Sequence, residues 1–562
     1  MSIGHVVHGL HFRNIRGDVY GGLTAAVVAL PLALAFGVSS GAGAIAGVYG
    51  AICVGFFAAL FGGTPAQVSG PTGPMTVVMA AILVQYTGMF PDDPGHGAAL
   101  AFTVVMLGGL LQILFGLLRF GKFIELVPVP VVSGFMSGVG VIIILLQLPP
   151  LLGFEAQAGP MASVAVMPAA WHGFNGAAFM LGLVALAIVY LMPRSLGRVI
   201  PSPLLALITG TLIAVLVLEP GSAPVLGDIP TGLPTLRWPT FELLLLTQMF
   251  VSALMLAVLG SIDSLLTSLV ADNVTRSYHD SDRELIGQGI GNLAAGLLGG
   301  LPGAGATMRT VVNVNAGGRT PISGVLHALV LLAVALGAGG VAREIPHAVL
   351  AGILIKVGTD IIDWDFLRAV RRTPGTGVFI MLTVFLLTVF VDLIKAVAVG
   401  MAMAGLVFMK RMSDLQLQSI NVYRDVDEST PLQGEERRIL RESAGQILLI
   451  HFGSPMSFGA AKGMARQLSM LGDYRVLVLD LSDMPQIDFS ATRALHGVIR
   501  NACDTGRRVV LAGGRPAVMK MIDAEGIRDQ VVKGCGGGIE ANRIHGLQHA
   551  ERLLAAERSA PA

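Results

Sequence analysis

The chain has 562 residues, of which 53% are hydrophobic and 13% charged, with a net charge of +1 and a mean hydropathy of +0.73. Soluble domains carry about 25% charged residues, so a wholly soluble protein is excluded, and the near-neutral balance gives no sign of a nucleic-acid partner. The three cysteines, Cys53, Cys503 and Cys535, stand in no CxxC or CxxH spacing and indicate neither a metal site nor a disulfide framework.

The N-terminus is basic (His11, Arg13, Arg16), and the long apolar stretch behind it does not read as a cleavable signal peptide. Charge is sparse from Val19 to about Lys410 and dense from Arg411 onward. This shift predicts a transmembrane domain over 1–410, a linker over 411–444 and a further domain over 445–562 with a short tail. A bilayer-spanning helix needs about 20 apolar residues. Apolar stretches of suitable character fall at 19–38, 45–60, 98–118, 127–151, 174–192, 203–218, 249–270, 286–301, 322–341, 348–357, 377–391 and 395–409. Two pieces too short to span begin near Pro74 and Thr307 after glycine-rich loops, which makes about fourteen segments of an all-α polytopic domain.

Loop charge orients them. With the basic N-terminus inside, the even-numbered connections carry Arg119 and Lys122, Arg194 and Arg198, Arg276 and Arg283, Arg319, and Arg368, Arg371 and Arg372. The odd-numbered ones carry chiefly Arg237, Arg343 and Lys395. The positive-inside rule then places both termini in the cytoplasm, across the cell's inner (plasma) membrane.

The two short pieces resemble one another. Pro71-Thr72-Gly73-Pro74-Met75-Thr76-Val77-Val78 and Gly305-Ala306-Thr307-Met308-Arg309-Thr310-Val311-Val312 share a Thr-Val-Val end behind a glycine-containing turn. They fall about seven segments apart, an odd number, so they run in opposite directions. Paired interrupted helices in an inverted repeat point to a transport site at the bilayer midplane. Their first amides are unpaired and their dipoles favour negative charge, so two facing N-termini make a cage for one small anion. Thr72 and Thr307 add hydroxyl donors.

Asp263 lies inside the span at 249–270, and an intramembrane carboxylate is expensive enough to suggest function. Thr267 is four residues on, on the same helical face. A carboxylate, a hydroxyl and exposed carbonyls suit a Group I cation or a proton; the plainer alternative is an interhelical hydrogen bond. Arg309, in the first turn of the second short helix, either lends charge to the anion, pairs with Asp263, or snorkels to a loop. No nucleophile–base constellation, P-loop or dinucleotide fingerprint is present, which argues against an enzyme or an ATP-driven pump.

From Ile447 the period changes. Strands at 447–452, 476–481 and 509–512 alternate with helices at 460–471, 491–502 and 517–525, predicting a small α/β domain. Ser490 begins one of these helices, where a plain N-cap is the simpler reading.

Four stretches in combination resemble the SulP anion transporters: 67–74 (QVSGPTGP), 270–272 (VAD), 288–292 (QGIGN) and 315–321 (NAGGRTP). The resemblance covers nearly the whole chain. It implies a seven-plus-seven inverted-repeat fold with core and gate domains, a C-terminal STAS domain, and a homodimer. Within the family, 29–37, 55–65 and 360–364 are most similar to the sodium-dependent bicarbonate transporters. That similarity implies sodium at Asp263, Thr267, Gly305 and Thr307, with the anion at Thr72, Gly73 and Ala306, largely through backbone amides; no organic cofactor is implied. Arg309 instead matches the wider sulfate-permease pattern, which keeps a proton-coupled sulfate or dicarboxylate permease as the alternative. In STAS proteins that act as anti-sigma antagonists, the position of Ser490 (in Asp480–Ser490, DLSDMPQIDFS) is phosphorylated, which implies a cytoplasmic regulator acting there.

Overall fold

The computed structural model describes residues 7–124, 127–157, 159–193, 200–219, 221–227, 234–337, 343–391, 393–424, 431–469 and 473–559. Arg194 and Arg198, and the ends of the helices expected at 322–341 and 460–471, lie outside them. The chain forms two compact units, Met1–Ala402 and Met403–Ala562.

In the first unit, α1 (Ile15–Ser39), α2 (Ala44–Phe61), β1 (Ser69–Gly70), α3 (Gly73–Met89), α4 (Pro94–Leu117) and α5 (Val129–Leu151) come first. They are followed by α6 (Pro160–His172), α7 (Gly176–Leu191), α8 (Ser202–Leu216), α9 (Leu246–Thr275) and α10 (Ser281–Leu297). Then come β2 (Ala304–Gly305), α11 (Thr307–Asn315), α12 (Pro321–Gly337), α13 (His347–Ile361), α14 (Gly375–Phe390) and α15 (Leu393–Gln418). Among the described residues six helices are long and apolar enough to cross a membrane, or up to seven if the pair α6–α7, bent by 118°, is one span. Each of the twelve expected spans coincides with one of these helices. The exception to the sequence reading is α6, which was not foreseen: thirteen residues with an internal Pro168 are too few to register as a span. The two short pieces also differ from each other, with 17 residues in α3 and nine in α11.

Small residues set the packing. Alanine and glycine line the buried faces of α1 and α2, and α10 approaches α4 where Gly289 meets the backbone of Gly109. This is the close approach that small residues permit between helices in lipid, where hydrophobicity alone drives no association. Asp18, on the buried face of α1, reaches the start of α12. Its carboxylate accepts from the amides of Arg319 (2.7 Å) and Thr320 (2.9 Å) and from the Thr320 hydroxyl (2.8 Å). Asp18→Ala strips two amides of their acceptor in a buried setting, which costs roughly 3 kcal/mol; a lowered thermal midpoint of the detergent-solubilised protein checks this.

The second unit holds β3 (Ile420–Tyr423), α16 (Gly434–Glu442), β4 (Ile447–Phe452), α17 (Phe458–Ser469), β5 (Val476–Asp480) and α18 (Phe489–Asp504). It continues through β6 (Arg508–Ala512), α19 (Pro516–Ala524) and β7 (Gly538–Glu540) to α20 (Arg543–Ser559). The sheet runs β3-β4-β5-β6-β7, with β3 antiparallel and the rest parallel. Alternate strand residues face opposite ways: Leu448, Ile450, Leu477 and Leu479 join the core beneath α17, α18 and α19, whereas Leu449, Val476 and Val478 join the core beneath α16 and α20. The stretch 411–444, read from composition as linker, contains the end of α15, the edge strand β3 and α16. Its polarity reflects one-sided burial: Ile439 and Leu440 pack inward with Glu436, which accepts from Arg543, while Glu435, Arg438, Arg441 and Glu442 face out. Tertiary packing of the α18 end against the segment before β7 brings Cys503 and Cys535, 32 residues apart in sequence, side by side with their Cα atoms 4.9 Å apart.

Asp480 is fully buried at the end of β5. Burial raises its carboxyl, but hydrogen bonds from His451 (2.8 Å) and Ser482 outweigh it and hold it below the usual carboxylate range. A depressed folded pKa stabilises above the unfolded value and ceases to do so as pH falls through the folded one. Asp480→Asn should therefore lower the thermal midpoint at neutral pH, by about 2 kcal/mol of stability, and the gap from wild type should close below about pH 4.

Candidate functional site

The two short helices begin back to back. Ser69 pairs with Gly305 and Gly70 with Ala304 in an antiparallel ribbon, so the chain leaves β1 and β2 in opposite directions, into α3 and α11. Glycine is required here. Gly70 holds φ at +150°, and a Cβ on Gly303 would lie 2.4 Å from the carbonyl carbon of Gly70. Two further bonds lock the crossing: Ala306 N donates to Val68 O (2.9 Å), and Val68 N donates to Thr310 Oγ1 (3.0 Å).

Thr72 and Ala306 are the residues preceding the two helices, both extended, and neither caps its helix with a side chain. The first-turn amides of an α-helix have no partner inside the helix. At Gly73 and Thr307 they therefore open toward the ribbon's two ends, in a buried environment where Thr72 is 9% and Ala306 8% exposed.

One helix face serves both starts. Asp263 Oδ2 accepts from Thr72 Oγ1 at 2.8 Å. One turn on, Thr267 Oγ1 lies 2.9 Å from Gly305 O, to which it donates, and 2.8 Å from Thr307 Oγ1. The i, i+4 spacing of Asp263 and Thr267 on α9 thus places a carboxylate at the mouth of α3 and a hydroxyl at the mouth of α11. Gly305 N in turn donates to Ser264 Oγ (3.1 Å), pinning the ribbon to α9. Thr267 Oγ1, Thr307 Oγ1 and Gly305 O gather three hard oxygens at the start of α11, one helical turn from the Asp263 carboxylate. Among the described residues no cluster of three or more His, Cys, Asp or Glu exists to hold a divalent or transition metal.

Arg309 is 3% exposed, and its guanidinium donates to Pro71 O at 2.7 Å. It clasps the loop that leads into α3. Among the described residues no contact within 4.0 Å joins it to Asp263, although the two opposite charges act on one another through the buried site; buried as it is, it does not snorkel to a loop.

The sequence reading missed the scaffold behind the ribbon. Glu284 of α10 accepts from the amides of Gly63 and Thr64 (both 2.9 Å) and from the side-chain amides of Gln67 and Gln288 (both 2.7 Å). Gln288 also donates to Ser69 Oγ (2.6 Å), and Asn292 binds Gly303 through both its backbone groups. The signal was present: Glu284, Gln288 and Asn292 recur every four residues, a polar stripe on one face of a membrane helix.

At α18, Asp488 is the N-cap, accepting from Ala491 N at 2.8 Å. Ser490 is not the cap; it sits exposed at the second position of the helix. Asp488 also accepts from Phe458 N (2.6 Å) at the start of α17.

Comparison with known proteins adds the following. A family model described as the sulfate permease family matches residues 15–384, and one described as the STAS domain matches residues 438–537. A protein of Picosynechococcus named bicarbonate transporter BicA is 48% identical over 511 residues, covering 90% of each chain. The solved transmembrane domain of a cyanobacterial bicarbonate transporter BicA is 50% identical, with a TM-score of 0.65, covering 70% of this chain and 99% of that one. The structure of murine Slc26a9 in its inward-facing state, 20% identical, shares the fold over 97% of this chain and 92% of its own, with a TM-score of 0.79.

Proposed function

This chain belongs to the sulfate permease family, the SulP anion transporters, and from that premise we propose that it takes up bicarbonate by cotransport with sodium. It is a multi-pass membrane protein and a transporter, with a STAS domain after the membrane unit. The carrying observation is the single face of α9 that meets both half-helix starts, at Thr72 through Asp263 and at Gly305 and Thr307 through Thr267.

In this reading the anion lies between the starts of α3 and α11, on the amides of Gly73 and Thr307, with Thr72 and Ala306 beside it. Sodium lies on Asp263, Thr267, Thr307 and Gly305 O. The two ions then share Thr307 and the α11 start, so each neutralises the other's charge in a buried place. Sodium bound first raises anion affinity, and reciprocity requires the anion to raise sodium affinity equally. Arg309 positions the α3 loop through Pro71 O and supplies a standing positive charge behind the ribbon. That charge is what favours a second reading, a proton-coupled permease for sulfate or a dicarboxylate.

The relatives support bicarbonate; the oxygen set supports sodium. Uptake of labelled bicarbonate into reconstituted vesicles, with and without an inward sodium gradient, tests both. Uptake that follows the gradient and resists excess sulfate is expected. Equal uptake in both conditions removes sodium coupling, and strong competition by sulfate moves the assignment to the second reading. The remaining elements of the proposal are a homodimer in the plasma membrane with both termini cytoplasmic, and a cytoplasmic regulator that acts through the STAS domain. Ser490 is exposed in the first turn of α18, where a phosphate is well accommodated.

A further inference from the structure

The second unit carries two cysteines, Cys503 in the last turn of α18 and Cys535 in the segment before β7. Their Cα atoms, 4.9 Å apart, lie within the span of about 4.4–6.8 Å that a disulfide bridges without backbone movement. Cys535 belongs to the core beneath α17, α18 and α19, and Cys503 is half-buried against the edge of that core. The third cysteine, Cys53, is buried in the other unit. Residues 534–538 read Gly-Cys-Gly-Gly-Gly. Glycine loses more conformational freedom on ordering than any other residue, and Cys535 is the one side chain anchoring this run in the core. Its backbone is held by Cys535 N donating to Gln530 O, Gly537 N donating to Val531 O and Arg508 donating to Gly536 O, each at 3.0 Å. The run feeds β7, which pairs with β6 over three residues and whose Glu540 O accepts from Gly513 N at 2.9 Å. This edge of the sheet is thus tied to the core chiefly through one thiol.

We infer that Cys503 and Cys535 are a redox-sensitive pair, open as thiols under reducing conditions and closing to a disulfide that locks the approach to β7 when small-molecule disulfides accumulate. With this unit in the cytoplasm, as proposed, the thiols are kept reduced at rest, and disulfides that form there are transient or sensing ones. Cys503, the more accessible of the two, attacks the incoming disulfide as its thiolate, forms a mixed disulfide and expels one small thiolate. The Cys535 thiolate then attacks Cys503 Sγ, the protein S–S bond forms and the second small thiolate leaves. Two electrons pass from the protein thiols to the small disulfide, whose two sulfurs take up the two protons. A dithiol reductant reverses the sequence. Ring closure across 32 residues suppresses opening of the segment roughly 100-fold.

The test equilibrates the full chain in lipid nanodiscs with oxidised and reduced glutathione at set ratios, blocks free thiols with N-ethylmaleimide and digests with trypsin, which releases Cys503 in 501–507 and Cys535 in 534–543. The two peptides should appear linked in excess oxidised glutathione and separately alkylated in excess reduced glutathione. Hydrogen–deuterium exchange of the amides over 534–540 should be at least about tenfold slower in the oxidised protein. That difference should vanish in Cys503→Ser, which leaves the Cys535 anchor in the core. Absence of the linked peptide in both buffers overturns the inference, and so does its presence in both, which marks a fixed staple. Linkage that leaves exchange over 534–540 unchanged overturns the lock. The buffers set the redox state directly, so these outcomes hold whichever side of the membrane the unit faces and whichever anion is carried.

Discussion

Asp263→Asn is expected to abolish sodium-driven uptake in a protein that still folds. Asparagine preserves the shape of the side chain, and its amide oxygen still accepts from Thr72 Oγ1, now 2.8 Å from Oδ2. The fold therefore loses little. The cation loses the only formal charge in its ligand set. Removing one partner of a desolvated ion pair costs roughly 3 kcal/mol or more, which weakens sodium binding at least ~100-fold. Gel-filtration profile and thermal midpoint near those of wild type, with uptake at background, is the predicted pair of results. Near-normal uptake by this variant removes the carboxylate from the coupling mechanism.

Ala306→Asn should move stability and transport in opposite directions. Asparagine is among the best N-cap residues, and its side-chain oxygen accepts from the amides of the second or third helical residue, here Met308 and Arg309. At Ala306 it would satisfy the open first-turn amides of α11 and stand where the anion is placed. Stability should rise by about 1 kcal/mol, while labelled bicarbonate uptake falls to background. A purely structural role for these amides predicts the same rise in stability with transport intact. Ala306→Gly, which adds no acceptor, serves as the control.

Much of this arrangement was legible in the sequence. Apolar length located the spans, because lipid leaves the backbone little choice but helix. The paired glycine-rich interruptions marked both half-helices, since broken helices in a membrane survive only where something useful replaces the lost bonds. Asp263 and Thr267 emerged from the cost of an intramembrane charge and from helical spacing. What stayed hidden was the partnership of side chains distant in sequence. Arg309 could have faced the anion, Asp263 or a loop, and its bond to Pro71 O, 238 residues away, is fixed by the ribbon that brings both half-helix loops together. The grip of Glu284 on Gly63, Thr64 and Gln67 is likewise a tertiary fact, although the four-residue recurrence of Glu284, Gln288 and Asn292 advertised a buried polar face. In the second unit the alternating pattern disclosed three parallel strands. It missed β3 and β7, which lie at the sheet edges and are only partly covered, so that they lack the continuous apolar run of β4 and β5.

The most direct test of the central claim is a solid-state NMR measurement of dipolar coupling between carbon-13 bicarbonate and nitrogen-15 amides in the reconstituted protein. A substrate caged by two helix starts must couple to the amides of both Gly73 and Thr307 in the presence of sodium, and to neither in Ala306→Asn. Bound bicarbonate that couples to neither amide in the wild-type protein would contradict the account.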